Sequence, residues 1–130
     1  LSMQLSYANL RRLKPSMPVG TVVYGRMPLM KVRACPARGE KGCGNCSGYN
    51  VLTDRMGEDF PMLCRNRQYC EILNCVPQFT ADKGLPAQCF KLLWFTIETA
   101  AQCRKILENC KTKSSPDFRR TAGLSQREID

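Results

Sequence analysis

The spacing of four cysteines constrains this chain more than any other feature of its sequence. Cys43 and Cys46 form a C-x-x-C pair, with seven residues between Cys35 and Cys43 and seventeen between Cys46 and Cys64. A C-x-x-C pair brings two thiolates to one ion or cluster through a tight turn. A loop and one β-hairpin can supply the other two sulfurs. The spacing therefore predicts a metal or iron–sulfur site at Cys35, Cys43, Cys46 and Cys64.

The spacing leaves the identity of the bound group open. A zinc ribbon needs a second C-x-x-C pair, but Arg67 stands at the matching position after Cys64. Four-cysteine iron–sulfur sites accept scattered single ligands. Spacing alone supports a 4Fe-4S cluster and an irregular four-thiolate zinc site equally. A disulfide framework is disfavoured, because the nine cysteines are odd in number and no signal peptide is visible.

Two other cysteines lie in a segment with helical periodicity. Within residues 99–110, Cys103, Ile106, Leu107 and Cys110 recur at i, i+3, i+4 and i+7. This pattern predicts the buried stripe of an amphipathic helix, in which both cysteines pack in the core.

The three remaining cysteines have different interpretations. Cys75 lies in a short apolar run and is predicted to pack in the core of a strand. Cys70 and Cys89 are candidates for a substitute ligand.

Positive charge surrounds the cysteines, and the whole chain carries a formal net charge of +9. An anionic thiolate centre offsets part of such a charge, and a phosphate backbone is a partner for the rest. The candidate contacts to RNA phosphate are Arg33, Lys41, Arg65 and Arg67. Arg26 ends a predicted strand and is a candidate for contact with a substrate anion.

Several classes of function lack support. The chain contains no histidine, so it supplies no Ser-His or Cys-His nucleophile, and its catalytic residues are not identified. It has no Walker loop and no G-x-G-x-x-G, so no nucleotide cofactor is expected. No apolar run approaches about 18 residues, so we expect no membrane span and a cytoplasmic protein.

Strands and helices alternate along the predicted structure. The predicted helices cover residues 7–14 and 99–110, the second beginning with a capping box of Thr99 and Gln102. This order predicts an α/β fold, the C-terminal fragment of a TIM-like (β/α) barrel with a cysteine-rich loop and β-hairpin inserted at its catalytic face. The barrel part is residues 1–112, the insertion residues 35–64 and a polar linker or tail residues 113–130. The predicted strands are residues 1–5, 20–24, 50–53, 60–63, 71–76 and 91–96.

A series of short motifs, taken in order, resembles the peptidase U-32 family of collagenase-like proteins. The resemblance covers about residues 1–110. Its motifs are VYGRMPLM (23–30), CP (35–36), GC (42–43), Cys46, LTDR (52–55), FP (60–61), Cys64, ILN (72–74), VP (76–77) and FT (95–96) with Glu98.

The resemblance implies a barrel whose earlier strands are missing from this chain. It also implies a four-cysteine iron–sulfur site, which favours a 4Fe-4S cluster over zinc at Cys35, Cys43, Cys46 and Cys64. Where the family often has serine this chain has Cys75, which leaves open a fifth sulfur near the site. A split barrel exposes sheet edges and core, so the isolated chain is predicted to be unstable or to associate.

Family members divide between two functions. Some are described as collagenases or secreted proteases, and others resemble factors that hydroxylate transfer RNA, ribosomal RNA or a quinone precursor. Basic charge and an apparent redox centre favour an iron–sulfur enzyme that hydroxylates RNA. The alternatives are a collagenase-like protease and a structural zinc site without activity of its own. The expected partners are RNA and the rest of the barrel, and the fragment alone is expected to be inactive.

Overall fold

Seven strands and one helix form the regular structure of the described residues, which in this computed structural model are residue 12 and residues 17–38, 46–82 and 89–122. The chain divides into a first unit, Leu1–Gly25 with Val76–Asp130, and a second unit, Arg26–Cys75. The predicted strand at residues 1–5 and, except for residue 12, the predicted helix at residues 7–14 lie outside the described residues. The elements are β1 (Val19–Gly25), β2 (Pro28–Val32), β3 (Tyr49–Thr53), β4 (Asp59–Arg65), β5 (Tyr69–Leu73), β6 (Gln78–Phe79), β7 (Cys89–Trp94) and α1 (Ala100–Thr112).

The first unit contains a three-stranded sheet in the order β6-β1-β7. β1 runs parallel to β7, with Val19 opposite Cys89, and antiparallel to the short β6. The β-branched residues of β1 suit a strand with neighbours on both sides. The two predicted strands at residues 20–24 and 91–96 are thereby confirmed, with bounds shifted by one or two residues.

The core of the first unit lies between this sheet and α1. Ile106 and Cys110 of the helix pack with Val23, Tyr24 and Phe79, all less than one-tenth exposed. Burying a side chain of this size contributes about 1.5–3 kcal/mol, so this cluster is the main source of stability for the unit.

The ends of α1 follow the sequence signals closely. The Thr99 hydroxyl accepts a hydrogen bond from Gln102 N at 3.3 Å, and the side-chain oxygen Oε1 of Gln102 accepts one from Thr99 N at 2.8 Å. This confirms the predicted capping box. The helix ends at Lys113, which has a left-handed φ of 55° and donates its N–H to Asn109 O.

The predicted buried stripe of α1 is only partly correct. Ile106 and Cys110 are buried and Cys103 is half-buried, but Leu107 is 41% exposed. Residues four apart lie on one line along a helix, whereas neighbours are turned by about 100°. The sheet covers the line through Ile106 and Cys110. The rotation of about 100° from Ile106 to Leu107 turns Leu107 towards solvent.

The second unit is an antiparallel sheet in the order β2-β5-β4-β3. Asp54 closes the β3–β4 hairpin, because its carboxylate accepts hydrogen bonds from Met56 N at 2.8 Å and Glu58 N at 3.0 Å. Gly57 supplies the positive φ of 80° in this turn. The predicted hairpin around residues 54–57 is confirmed.

The core of the second unit combines apolar side chains with thiols. Met62, Cys70 and Ile72 are buried, and the half-buried Cys35 and Cys64 pack against them. Met62 and Cys64 in β4, like Cys70 and Ile72 in β5, are two apart and so share one face of the sheet.

Cys75 does not pack in a strand core, so this prediction is wrong. β5 ends at Leu73, and Asn74 N then donates to Met27 O at 2.8 Å. The backbone bends after this bond, which leaves Cys75 half-buried beyond the strand.

The fold class is mixed α/β, with more strand than helix. Parallel pairing joins β1 to β7, and the sheets of the described residues do not close into a barrel. Within the same residues, no helical segment has the length and apolar character needed to cross a bilayer.

The described part of the predicted polar tail contacts the first unit. The Phe118 ring meets the Phe79 ring edge-on, with centroids 6.1 Å apart. The Arg120 guanidinium donates to the Asp82 carboxylate at 3.0 Å, and Thr121 O accepts from Phe79 N at 3.0 Å.

Candidate metal centre

A tight turn between β4 and β5 places two cysteines opposite each other. Cys64 and Cys70 are direct cross-strand partners, and the turn is closed by Gln68 N donating to Arg65 O at 2.9 Å. Directly opposite residues of an antiparallel pair have Cα atoms about 4.5–5.5 Å apart, so their side chains are neighbours on one face.

A third cysteine joins this pair from the chain that follows β2. Cys35 accepts a hydrogen bond through its carbonyl from Arg38 N at 3.0 Å, which forms a turn at that point. Cys35, Cys64 and Cys70 line one pocket of about 40 Å³. Burial, followed by hydrogen bonds with Cys35 and Cys64, raises the pKa of the Cys70 thiol to about 12.

The structure describes one half of the C-x-x-C pair. Cys46 is exposed, and its sulfur accepts a hydrogen bond from Gly48 N at 3.4 Å. Gly48 O accepts in turn from Cys64 N at 2.7 Å. Gly48 therefore connects Cys46 to the backbone of Cys64. Cys43 lies outside the described residues.

Three thiols share the pocket, but they do not form a complete ligand set. Among the residues that the structure describes, no three or more His, Cys, Asp or Glu side chains are arranged to hold a metal ion. The donor chemistry still fits a zinc or iron–sulfur group, because soft thiolates are the preferred ligands of both. The remaining sulfurs of the predicted set belong to Cys46 and Cys43.

Arginines line the same pocket. Arg33, Arg38 and Arg67 lie around the cysteines together with Tyr69. None of the three guanidinium groups forms an ion pair with a carboxylate of the described residues. Arg38 was not among the residues predicted from the sequence. Lys41, which was, lies outside the described residues.

Arg65 has a different environment from its neighbour Arg67. Its Nε donates to the Glu71 carboxylate at 3.0 Å, and the Lys31 ammonium lies 3.3 Å from the same group. The hydrogen bond from Arg65 is the main cause of a lowered Glu71 pKa, with a further contribution from Lys31 against the opposing effect of burial. The Lys31 ammonium also lies 5.3 Å from the centroid of the Tyr69 ring. The charge of Arg65 is therefore already paired.

Arg26 holds the backbone where the second unit begins and ends. Its Nη1 donates to Asn74 O at 2.9 Å and also to Cys75 O. Its buried Nε has no hydrogen-bond partner among the described residues. These contacts hold the two backbone carbonyls that follow β5. Arg26 therefore has a structural role, whereas the sequence predicted a contact with a substrate anion.

The other cysteines differ in their surroundings. The Cys75 thiol lies 3.5 Å from the Asn74 side-chain oxygen, to which it donates. Cys89 begins β7 in the first unit, and the described residues that line the thiol pocket do not include it. Cys110 is buried in the first core, and burial raises the pKa of its thiol, opposed by the charge of Lys91.

A half-buried carboxylate, that of Glu98, lies at the carboxyl ends of the parallel strands in the first unit. Glu98 accepts hydrogen bonds from the Tyr24 hydroxyl at 2.7 Å, Thr96 N at 2.6 Å and Ile97 N at 3.0 Å. Burial opposes ionisation of Glu98, but these donors outweigh it, and the pKa of Glu98 is lowered. These three hydrogen bonds tie the Glu98 carboxylate to the loop after β7 and to Tyr24 of β1.

Comparison with protein-family models, curated proteins and solved structures gave no match to this chain.

Proposed function

We propose that this chain is part of a cytoplasmic enzyme of the peptidase U-32 type, in which thiolates hold a 4Fe-4S cluster and the substrate is transfer or ribosomal RNA that becomes hydroxylated. The observation that carries the proposal is the convergence of Cys35, Cys64 and Cys70 on one pocket. Residues far apart in sequence meet there through two turns and a cross-strand pair. Such convergence of free thiols is what a soft metal group requires.

Each part of the site has a separate task in this proposal. Cys35 and Cys64, with Cys43 and Cys46, would hold the cluster, and Cys70 lies beside them as a further thiol. The cluster would supply electron transfer when bound. Nearby guanidinium groups would offset the negative charge of the thiolates.

The barrel architecture remains part of the proposal. The parallel pairing of β1 with β7, followed by α1 on one face, has the form of adjacent barrel units. The other face of β7 leaves Phe90, Leu92 and Trp94 between 43% and 55% exposed. Further strands of a barrel would cover an apolar face of this kind.

The test of the metal centre is anaerobic purification of the full-length protein, with an absorption spectrum and analysis for iron, sulfide and zinc. A brown protein with about four irons per chain is expected. Cys35→Ala and Cys64→Ala should each remove most of the iron. The matched control is Cys103→Ala, a half-buried cysteine of α1 in the first unit, which should retain it.

The other outcomes assign the site differently. A colourless protein with one zinc per chain would make the cysteines a structural zinc site. A protein without metal would overturn the proposal and return the collagenase-like protease to first place. That function predicts cleavage of denatured collagen that survives loss of the four cysteines.

A further inference from the structure

The arginines of the second unit fall into two groups with different surroundings. Arg33, Arg38 and Arg67 converge on the thiol pocket and are exposed to solvent. Arg65 instead pairs with Glu71, as does Lys31. The pocket lining, as far as the structure describes it, contains three arginines and no acidic residue.

The backbone at Arg67 favours a functional interpretation of this group. Asn66 and Arg67 have left-handed φ values of 51° and 59°. Asparagine tolerates this region, but arginine rarely adopts it, and the conformation costs free energy. The turn places Arg67 on the pocket despite this cost. Strained backbone of this kind is concentrated at ligand-binding sites.

The size of the pocket limits the ligand to a small group. Its volume is about 40 Å³, whereas one water needs about 10–15 Å³ by the same measure. The three arginines at the edge of so small a space can offer planar guanidinium forks to the several oxygens of one phosphate group. A nucleobase does not fit, so any nucleotide chain would leave its bases outside.

We infer that Arg33, Arg38 and Arg67 bind one backbone phosphate of a single-stranded RNA at the solvent side of the pocket. The three arginines are exposed, whereas Cys35 and Cys64 are half-buried and Cys70 is buried, so the phosphate would lie outside the thiols and leave them to hold the metal.

The inference rests on the proposed function for its choice of RNA. The phosphate chemistry itself comes from three arginines that form no ion pair within the described residues, and it is independent of the metal. Of the phosphate contacts predicted from the sequence, this inference retains Arg33 and Arg67 and omits Arg65 and Lys41, the latter lying outside the described residues. It adds Arg38.

The test compares two triple variants of the full-length protein that lose the same charge. The pocket variant carries Arg33→Gln, Arg38→Gln and Arg67→Gln. The control carries Arg55→Gln, Arg104→Gln and Lys111→Gln, at exposed positions outside the pocket. Affinity for a 12-nucleotide oligouridylate is measured by fluorescence anisotropy over a range of salt, with metal content determined for every sample.

We expect the pocket variant to lose at least tenfold in affinity and to show a smaller salt dependence, because fewer counterions are released. The control should lose less than threefold, and so should the single variant Arg65→Gln, because Glu71 already pairs that arginine. Inorganic phosphate at millimolar concentration should compete with the oligouridylate for the wild-type protein.

A second variant separates binding from folding. Arg67→Gly places glycine at a positive φ, which glycine adopts without strain. Its Tm should equal or exceed that of the wild type, while its RNA affinity falls. Reduced affinity without reduced stability cannot come from misfolding.

Three results would overturn the inference. Equal losses in both triple variants would show that only net charge matters. Loss of metal from the pocket variant with unchanged RNA affinity would show that the arginines only offset the thiolate charge. Binding of inorganic phosphate without binding of RNA would assign the site to a small phosphorylated molecule. Failure of the metal centre would appear separately, as metal-free wild-type protein that still binds RNA through the pocket.

Discussion

Cys110 in the first unit and Cys70 in the second are both buried, with 9% and 1% of their surface exposed. Burial raises the pKa of both thiols. Around Cys110 lie Ile106 and the aromatic residues of the first core. Cys70 instead has two thiols as hydrogen-bonding neighbours. The comparison shows that burial alone does not separate a packing cysteine from a candidate ligand, and that the neighbouring side chains do.

The largest expected effect is a loss of stability caused by a substitution in the core of the first unit. Ile106→Ala removes a side chain that is 3% exposed and should lower the free energy of unfolding by about 2–5 kcal/mol, because a cavity remains. Denaturant titration followed by circular dichroism measures this loss. The metal content of the folded protein should stay the same. A parallel loss of metal would show that the two cores depend on each other.

Serine substitutions test the two buried cysteines directly. Cys110→Ser and Cys70→Ser each bury a hydroxyl, which should cost about 1–3 kcal/mol of stability. Only Cys70→Ser should also lower the metal content, because Cys70 shares its pocket with Cys35 and Cys64. Iron and zinc analysis of both variants, with stability measured alongside, checks this difference. Equal metal contents would reduce Cys70 to a packing residue like Cys110.

The smallest expected effect is the pH dependence of stability that one carboxylate from each unit contributes. Glu98 is held by uncharged donors and Glu71 by Arg65 and Lys31, and both have a pKa below the ordinary 4.5. A lowered folded-state pKa contributes stability that is present above the unfolded value and is lost as the pH falls through the folded value. Both carboxylates should therefore stabilise the protein above about pH 4.5 and cease to do so in acid.

Salt should separate the two carboxylates. Ions screen the exposed partners of Glu71, so its contribution, at most about 1 kcal/mol, should fall at 1 M NaCl. The contribution of Glu98 should persist, because its donors carry no charge. Unfolding of Glu71→Gln and Glu98→Gln between pH 3 and 7, at low and high salt, measures both. An equal response to salt would contradict the assignment of their partners.

Local signals explain which parts of the fold could be predicted. Asp54 and Gly57 marked the β3–β4 hairpin, and Thr99 with Gln102 marked the start of α1, because these interactions lie within a few residues of one another. The exposure of Leu107 could not be predicted, because it depends on which line of the helix the sheet covers.

The sequence contained fewer signals for the candidate site than for the hairpin and the helix. Asn66 and Arg67 form a turn with two positive φ values but without glycine, so no standard turn signal marked it. Without that turn, nothing indicated that Cys70 lies opposite Cys64, or that Arg38 and Arg67 share a pocket. The alternation of Cys64 with Met62, and of Cys70 with Ile72, was the one available signal. It becomes informative only when the two strands are known to pair.

The hydrogen bond from Asn74 N to Met27 O, 2.8 Å long, has a consequence for the evolution of the chain. It joins the two ends of the second unit, and Arg26 holds the same place through Asn74 O and Cys75 O. The ends of such a segment already lie together, so its length can change without moving the residues that flank it. The free-energy cost of closing a loop depends only weakly on the number of residues enclosed. A change in the length of the second unit should therefore cost the chain on either side little free energy of closure.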